Sequence, residues 1–135
     1  MVDWSARYPR PLLDKLGLKP GARVTILGVE DEAFGQAVRE RTADVSTRLR
    51  KDSDLVFYAA NRLRDLDRLG ALRVGLKSAG AIWVVRIKGD AAVIKETDII
   101  AAAKTQGLVD IKVVSFSDEY SAEKFVIPVA KRTRS

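Results

Sequence analysis

Three short runs of apolar and β-branched residues constrain the fold of this chain more than any other feature. They read RVTILG (residues 23–28), DLVFYAA (54–60) and AIWVVRI (81–87). Such near-continuous apolar runs are typical of strands that are covered on both faces. A weaker alternating run, ADVSTRL (43–49), adds a short, partly exposed strand. Helical patterns separate the strong runs, so the sequence predicts parallel strands with helices on both faces of the sheet.

The helices are predicted from the spacing of apolar residues and from the residues that cap helix ends. A short helix spans residues 10–18, and a second spans residues 32–41 behind Asp31 as its N-terminal cap. A third helix follows Asn61, its candidate cap. Its inward face carries four leucines, namely Leu63, Leu66, Leu69 and Leu72.

The last third of the chain reads as a helix followed by two antiparallel strands. Thr97 is the predicted cap of that helix, and Gly107 fits the left-handed position just after its end. Residues 111–117 and 124–129 are close enough in sequence to pair antiparallel across a short turn.

The order of these elements predicts one α/β domain over residues 1–135. We expect a three-layer, Rossmann-like open sheet that is mostly parallel, with an antiparallel hairpin at its C-terminal edge. A chain of 135 residues is long enough to bury about two thirds of its unfolded surface. Residues 130–135 form a basic end that we expect to fray.

The residue types that are missing limit the chemistry. The chain has no Cys and no His, which excludes disulfides, cysteine nucleophiles, and the commonest metal ligand and neutral-pH base. No apolar run approaches the roughly 20 residues of a membrane span, and the first residues lack a signal-peptide core. A cytoplasmic protein without membrane contact is therefore expected.

The net charge of +6 favours an anionic partner in general terms. The excess is dispersed, however, and no aromatic residues are interleaved with the basic ones as a stacking platform for nucleic acid requires. Nucleic-acid binding is therefore the least favoured hypothesis. An affinity that falls steeply with salt would support it.

Four segments of the chain resemble the class I S-adenosylmethionine-dependent methyltransferases. They are LKPGARVTILG (18–28), DLVFYAA (54–60), LKSAGAIWVV (76–85) and GLVDIKVVSFSDEYSAEKFVI (107–127), in the order that this fold has them. The resemblance implies a methyltransferase-like topology and, where the cofactor site is complete, binding of S-adenosylmethionine.

A closer resemblance is to a small, uncharacterised bacterial protein family of unknown function. The counterparts are PLLDKLGLKPGARV, IWVVRIK, TDI and GLVDIKVVSFSDEYS, and their spacing is kept from residue 11 to residue 121. This chain departs from the family at two places. It has Arg86-Ile87 before Lys88 where the family tends to have a proline, and it has Tyr120 where the family tends to have tryptophan. The resemblance implies no activity.

The turn after the first strand departs from the methyltransferase pattern. That fold uses closely spaced glycines there so that the backbone can approach the cofactor, whereas this chain has Gly28 and then none until Gly35. Only about 25 residues separate the first two strong strands, which leaves room for one helix and one short strand. We therefore expect a truncated topology with no cofactor, S-adenosylmethionine being possible but disfavoured.

A ligand, if one binds, is expected at the carboxyl edge of the sheet where the strand order reverses. The candidate ligand-binding residues there are Gly28, Glu30, Asn61, Arg86 and Lys88. Glu30 and Asp31 more readily serve helix capping, and Asn61 is more readily a cap than a ligand group. Arg86 and Lys88 would hold an anionic small molecule. No catalytic or metal-binding residues are predicted.

Three hypotheses about function follow. The first is a non-catalytic binding or regulatory module that has lost the glycine turn and that could pair as a homodimer. The second is a protein or methyltransferase that binds a nucleotide or an S-adenosyl compound in the crevice. The third is a weak nucleic-acid binder.

Overall fold

A computed structural model describes residues 8–131 of the chain. Four α-helices are present in this range: α1 (Arg10–Lys15), α2 (Glu32–Arg41), α3 (Leu69–Val74) and α4 (Glu96–Thr105). Six strands accompany them: β1 (Val24–Leu27), β2 (Val45–Ser46), β3 (Ser53–Ala59), β4 (Leu76–Ile87), β5 (Val109–Ser115) and β6 (Tyr120–Val126). Short 3₁₀ helices span Leu63–Arg68, Gly89–Ala91 and Val129–Lys131.

The six strands form one sheet in the order β2-β1-β3-β4-β6-β5. Strands β1, β2, β3 and β4 pair in parallel, whereas β6 runs antiparallel to both β4 and β5. The prediction of a mostly parallel sheet with an antiparallel C-terminal hairpin at one edge is confirmed. The second strand of the hairpin is its inner strand, because β6 inserts between β4 and β5.

Each face of the sheet carries its own hydrophobic core, so the structure has the three layers that were predicted. On the first face, α1 and α2 cover Phe57 and Trp83, both of which are fully buried. On the second face, α3 and α4 cover Val56, Ile82 and Phe125.

The region between β1 and β3 is short, as predicted, and contains only α2 and β2. Instead of the strand predicted at 43–49, β2 has two residues. The reason is local hydrogen bonding: Ser46 Oγ donates to the carbonyl of Arg48 and accepts from its N–H. The Arg50 guanidinium also donates to the carbonyl oxygens of Val24 and Asp44.

Two predicted helix caps are wrong, because in each case an aspartate inside the first turn does the capping. The Asp65 carboxylate accepts the N–H groups of Asn61 and Arg62, both at 3.1 Å. Likewise, Asp98 accepts the N–H of Lys95 at 2.9 Å, and α4 begins one residue before Thr97.

The leucines after Asn61 are distributed differently from the single helix that was predicted. Leu66, Leu69 and Leu72 are buried, but Leu63 is 62% exposed. The segment starts as a 3₁₀ helix with Leu63 as its first residue, and α3 begins only at Leu69. Gly107 has φ of +83°, which confirms its left-handed position after α4.

The described part of the chain ends in a short 3₁₀ turn. Of the tail predicted to fray at 130–135, Ala130 and Lys131 belong to a 3₁₀ turn, and the rest lies outside the described residues. Within residues 8–131, no helix is both long and apolar enough to span a bilayer.

Candidate functional site

A cleft of about 1020 Å³ opens at the carboxyl edge of the sheet. It lies where β1, β3 and β4 end and where the β5–β6 connection passes beside them, the usual position of ligand sites in open α/β sheets. Its lining residues are Gly28, Val29, Glu30, Asp31, Glu32, Ala33, Gln36, Ala59, Asn61, Val85, Phe116, Glu119 and Tyr120.

The turn after β1 forms the floor of the cleft and needs its one glycine. Gly28 has φ of +74°, a backbone conformation that L-residues adopt only with strain. A Cβ at this position would lie 3.5 Å from the Cβ of Ala59, an ordinary contact, so conformation rather than space requires the glycine. Val29 follows half-buried and Glu30 exposed, so two side chains stand where a glycine-rich turn offers only backbone.

Asp31 caps α2, as predicted. Its Oδ1 accepts the N–H of Phe34 at 3.1 Å, and its Oδ2 accepts a short hydrogen bond from the hydroxyl of Tyr8. The Tyr8 ring packs edge-on against Phe34 and Phe116, with both pairs of ring centroids 5.3 Å apart. Asp31 is therefore held from two sides, and an aromatic cluster supports this wall of the cleft.

Asn61 lies at the end of β3 and connects two strands. Its Oδ1 accepts the N–H of Ile87 at 3.1 Å, which ties the end of β4 to the second residue after β3. Nearby, the hydroxyl of the buried Tyr58 donates to the carbonyl of Asp65 at 2.7 Å. Burial, followed by the negative charge of Asp65, raises the pKa of Tyr58.

Arg86 and Lys88 lie outside the cleft lining. The Nε of Arg86 donates to Glu123 Oε1 at 2.8 Å, and Lys88 Nζ donates to Ser115 Oγ at 2.7 Å. The pKa of Glu123 is raised, because burial outweighs the opposing effect of Arg86. Of the five candidate residues, the structure therefore brings Gly28, Glu30 and Asn61 together and places Arg86 and Lys88 at the hairpin.

The hairpin contributes three lining residues that were not singled out as site residues. The carbonyl of Tyr120 accepts the N–H groups of Phe116 and Ser117, which folds the β5–β6 connection over the cleft. Phe116 is buried, Tyr120 half-buried and Glu119 exposed. The only signal in the sequence was the predicted turn between the last two strands, and it did not indicate where the hairpin would lie.

The cleft has a negative lining. Glu30, Asp31, Glu32 and Glu119 all border it, and none of its thirteen lining residues, which all fall in the described part of the chain, is Lys or Arg. Clefts lined by one sign of charge concentrate ligands of the opposite charge. No group of His, Cys, Asp or Glu between residues 8 and 131 could hold a metal ion.

Comparisons with known proteins identify the fold. No protein-family model and no curated protein matches the chain. The structure of an S-adenosylmethionine-dependent methyltransferase from Aquifex aeolicus is similar to this chain, with a TM-score of 0.68 and 13% sequence identity. The match covers 94% of this chain and 100% of that one. For a candidate methyltransferase from Thermoplasma acidophilum the TM-score is 0.66 and the identity 9%, over 93% and 77% of the two chains.

A third similar structure belongs to the complex between the Haloferax volcanii Trm112 methyltransferase activator and a candidate methyltransferase. Its TM-score is 0.65 and its identity 12%, with 86% of each chain covered. Similarity at such low identity establishes architecture rather than activity. The chain has a Rossmann-like, methyltransferase-type α/β fold, which confirms the fold class expected from the sequence.

Proposed function

We propose that the chain is a small-molecule-binding domain whose cleft takes an S-adenosyl compound or a similar nucleoside with a positive charge. One observation carries the proposal: in a methyltransferase-type sheet, the cleft at the carboxyl edge is lined by four carboxylates and by no basic residue. This proposal replaces the expectation that no cofactor binds. S-adenosylmethionine, when bound, supplies a methyl group on a positively charged sulfur.

The residues of the cleft fit such a ligand in three ways. The left-handed turn at Gly28 brings backbone to the surface of the cleft. Asp31 is already engaged by Phe34 and Tyr8, which leaves Glu30, Glu32 and Glu119 as the exposed carboxylates for cationic groups of the ligand. Phe116 and Tyr120 supply an apolar wall. An anionic ligand fits less well, because Arg86 and Lys88 are engaged at the hairpin.

A second candidate function is a non-catalytic regulatory module without a cofactor, within the small bacterial family that the sequence resembles. The observation that favours it is the structure of the half of the sheet formed by β1, β2 and β3. Val29 and Glu30 occupy the turn, and within the described residues β2 contributes nothing to the lining.

Calorimetric titration of the full chain tests the first proposal. We expect S-adenosylmethionine to bind more tightly than S-adenosylhomocysteine, because only the former carries the sulfonium charge, and ATP to bind least. Glu30→Gln should weaken S-adenosylmethionine binding several-fold, and added salt should weaken it in the wild type. Glu40→Gln is the matched control, because Glu40 lies exposed on α2 away from the cleft.

Binding of ATP in preference to the cationic ligands, or no binding of any S-adenosyl compound, would contradict the proposal. A methyl-transfer assay with a labelled methyl group and cell extract then separates the two candidate functions. Binding with transfer indicates a methyltransferase, and binding without transfer indicates a module that senses the ligand.

A further inference from the structure

Three residues form a row across the first face of the sheet, away from the cleft. Trp83 on β4 is directly opposite Lys124 on β6, and Lys124 is directly opposite Lys112 on β5. The Nζ of Lys124 lies 5.8 Å from the centroid of the Trp83 ring, and that of Lys112 lies 6.0 Å from it. We call these three residues the Trp–Lys row.

The row holds two ammonium groups beside one apolar surface. Trp83 is fully buried and fixed, since its indole N–H donates to the carbonyl of Leu16 at 3.0 Å. Lys124 is half-buried against it and Lys112 is exposed. Throughout residues 8–131, neither lysine has a carboxylate within salt-bridge distance.

The Trp83 ring attracts both ammonium groups, but their mutual repulsion is unfavourable for folding and favourable for amine chemistry. Like charges directly opposite each other on neighbouring strands destabilise a sheet, and such local conflicts in native proteins often mark functional sites. A lysine that is desolvated or placed beside another cation loses its proton more readily, and only the neutral amine is a nucleophile. In agreement, burial and then the charge of Lys112 lower the pKa of Lys124.

We propose that Lys124 is a reactive amine that condenses with small aldehydes or ketones carrying an anionic group, and that the Lys112 ammonium holds that anionic group. The nitrogen lone pair of Lys124 forms a bond to the carbonyl carbon. The carbonyl oxygen then leaves as water with the two amine hydrogens, giving an imine without any change of oxidation state. The inference is independent of what binds in the cleft.

Pyridoxal 5′-phosphate is a suitable probe, because it combines an aldehyde with a phosphate. The full chain is treated with it, reduced with borohydride to trap the imine, and mapped by peptide mass spectrometry, which distinguishes Lys124 from other amines. We expect Lys124 to be labelled several-fold faster than Lys104, an exposed lysine on α4. Labelling of Lys124 should also begin at lower pH than labelling of Lys104.

Two variants and one control test the separate roles. Lys124→Arg should abolish the fast labelling, because it keeps a cation but removes the nucleophile. Lys112→Met should remove the preference of Lys124 for pyridoxal 5′-phosphate over pyridoxal, which lacks the phosphate. Lys104→Arg should leave the fast labelling unchanged. Equal labelling rates at Lys124 and Lys104, or the same preference in Lys112→Met, would overturn the proposal.

Discussion

Arg86 and Glu123 form an almost completely buried ion pair on the second face of the sheet, with Arg86 Nε 2.8 Å from Glu123 Oε1. The two side chains are 12% and 2% exposed. Removing one partner of such a pair leaves the other charge buried, which costs about 3–5 kcal/mol. We therefore expect Arg86→Ala to lower the free energy of unfolding by an amount of this order, measured by urea denaturation.

The double variant Arg86→Met/Glu123→Leu provides the control for this prediction. Because it replaces both charges with apolar groups, it should be much more stable than the sum of the two single alanine variants implies. Additive losses would mean that the two side chains contribute independently of each other.

The raised pKa of Glu123 makes part of the stability depend on pH. In the unfolded chain its carboxyl ionises near the ordinary value of 4.5, whereas the folded protein retains the proton to higher pH. The folded state thus binds more protons in this window, so stability falls as pH rises above 4.5 through the raised pKa. Glu123→Gln keeps an oxygen acceptor for Arg86 but cannot titrate. Urea denaturation at several pH values should show that the free energy of unfolding declines less with rising pH in this variant than in the wild type.

Asp31→Ala should destabilise the protein by about 1–2 kcal/mol through loss of the cap of α2. The variant also removes the acceptor for the Tyr8 hydroxyl. Asp31→Asn should reduce stability much less, as measured by thermal denaturation, because asparagine is an equally good cap. If the asparagine variant were as unstable as the alanine variant, the second carboxylate oxygen, which accepts from Tyr8, or the negative charge would matter more than the cap itself.

Asn61→Ala should loosen the carboxyl end of β4. Without the Asn61 side chain, the N–H of Ile87 loses its acceptor, at a cost of about 1–3 kcal/mol. Amide hydrogen exchange at Ile87 should accelerate, whereas exchange in the centre of β3, for example at Phe57, should change only with global stability. Asn61→Asp, which keeps an oxygen acceptor, should protect the Ile87 amide, and failure to do so would contradict this role.

Lys112→Met should stabilise the protein near neutral pH by about 0.2–1 kcal/mol, because it removes the repulsion with Lys124. Since the folded-state pKa of Lys124 is lowered from 10.5, the folded protein releases this proton before the unfolded chain does. The unfavourable contribution is complete below the folded-state pKa and disappears as pH rises towards 10.5, so the gain from Lys112→Met should shrink over that range. Lys104→Met should show no such gain.

The sequence was sufficient for those elements whose signal is local. The apolar runs around Ile26, Phe57 and Trp83 are continuous, so they identified three strands that are covered on both faces. The layers of helices on both sides of the sheet follow from this. Asp31 and Gly107 were recognisable because a cap and a left-handed glycine depend only on their own turn. Asn61 and Thr97 were misassigned as caps, because in each case an aspartate inside the first turn accepts the backbone N–H groups at the start of the helix.

The candidate site was predictable only on the side built by β1 and β3. Gly28, Glu30 and Asn61 follow directly from where those strands end. Arg86 lies just as close to a strand end, but side chains alternate along β4, so Arg86 points away from the face on which Val85 lines the cleft and pairs there with Glu123, 37 positions later. Glu119 reaches the cleft only through the folding of the hairpin, which is a tertiary event without a local pattern.

The position of β6 has a consequence for how the protein folds. Of the six strands in residues 8–131, β6 is the last to be synthesised, yet it lies between β4 and β5 and pairs with both. Until residue 126 is available, one edge of the long apolar strand β4 has no neighbour, and β5 has nothing to join. Pairings between segments so far apart in sequence form slowly, and unpaired edges promote association with other chains. Completion of the sheet must therefore follow synthesis of β6, and until then the free edge of β4 is open to pairing with other chains.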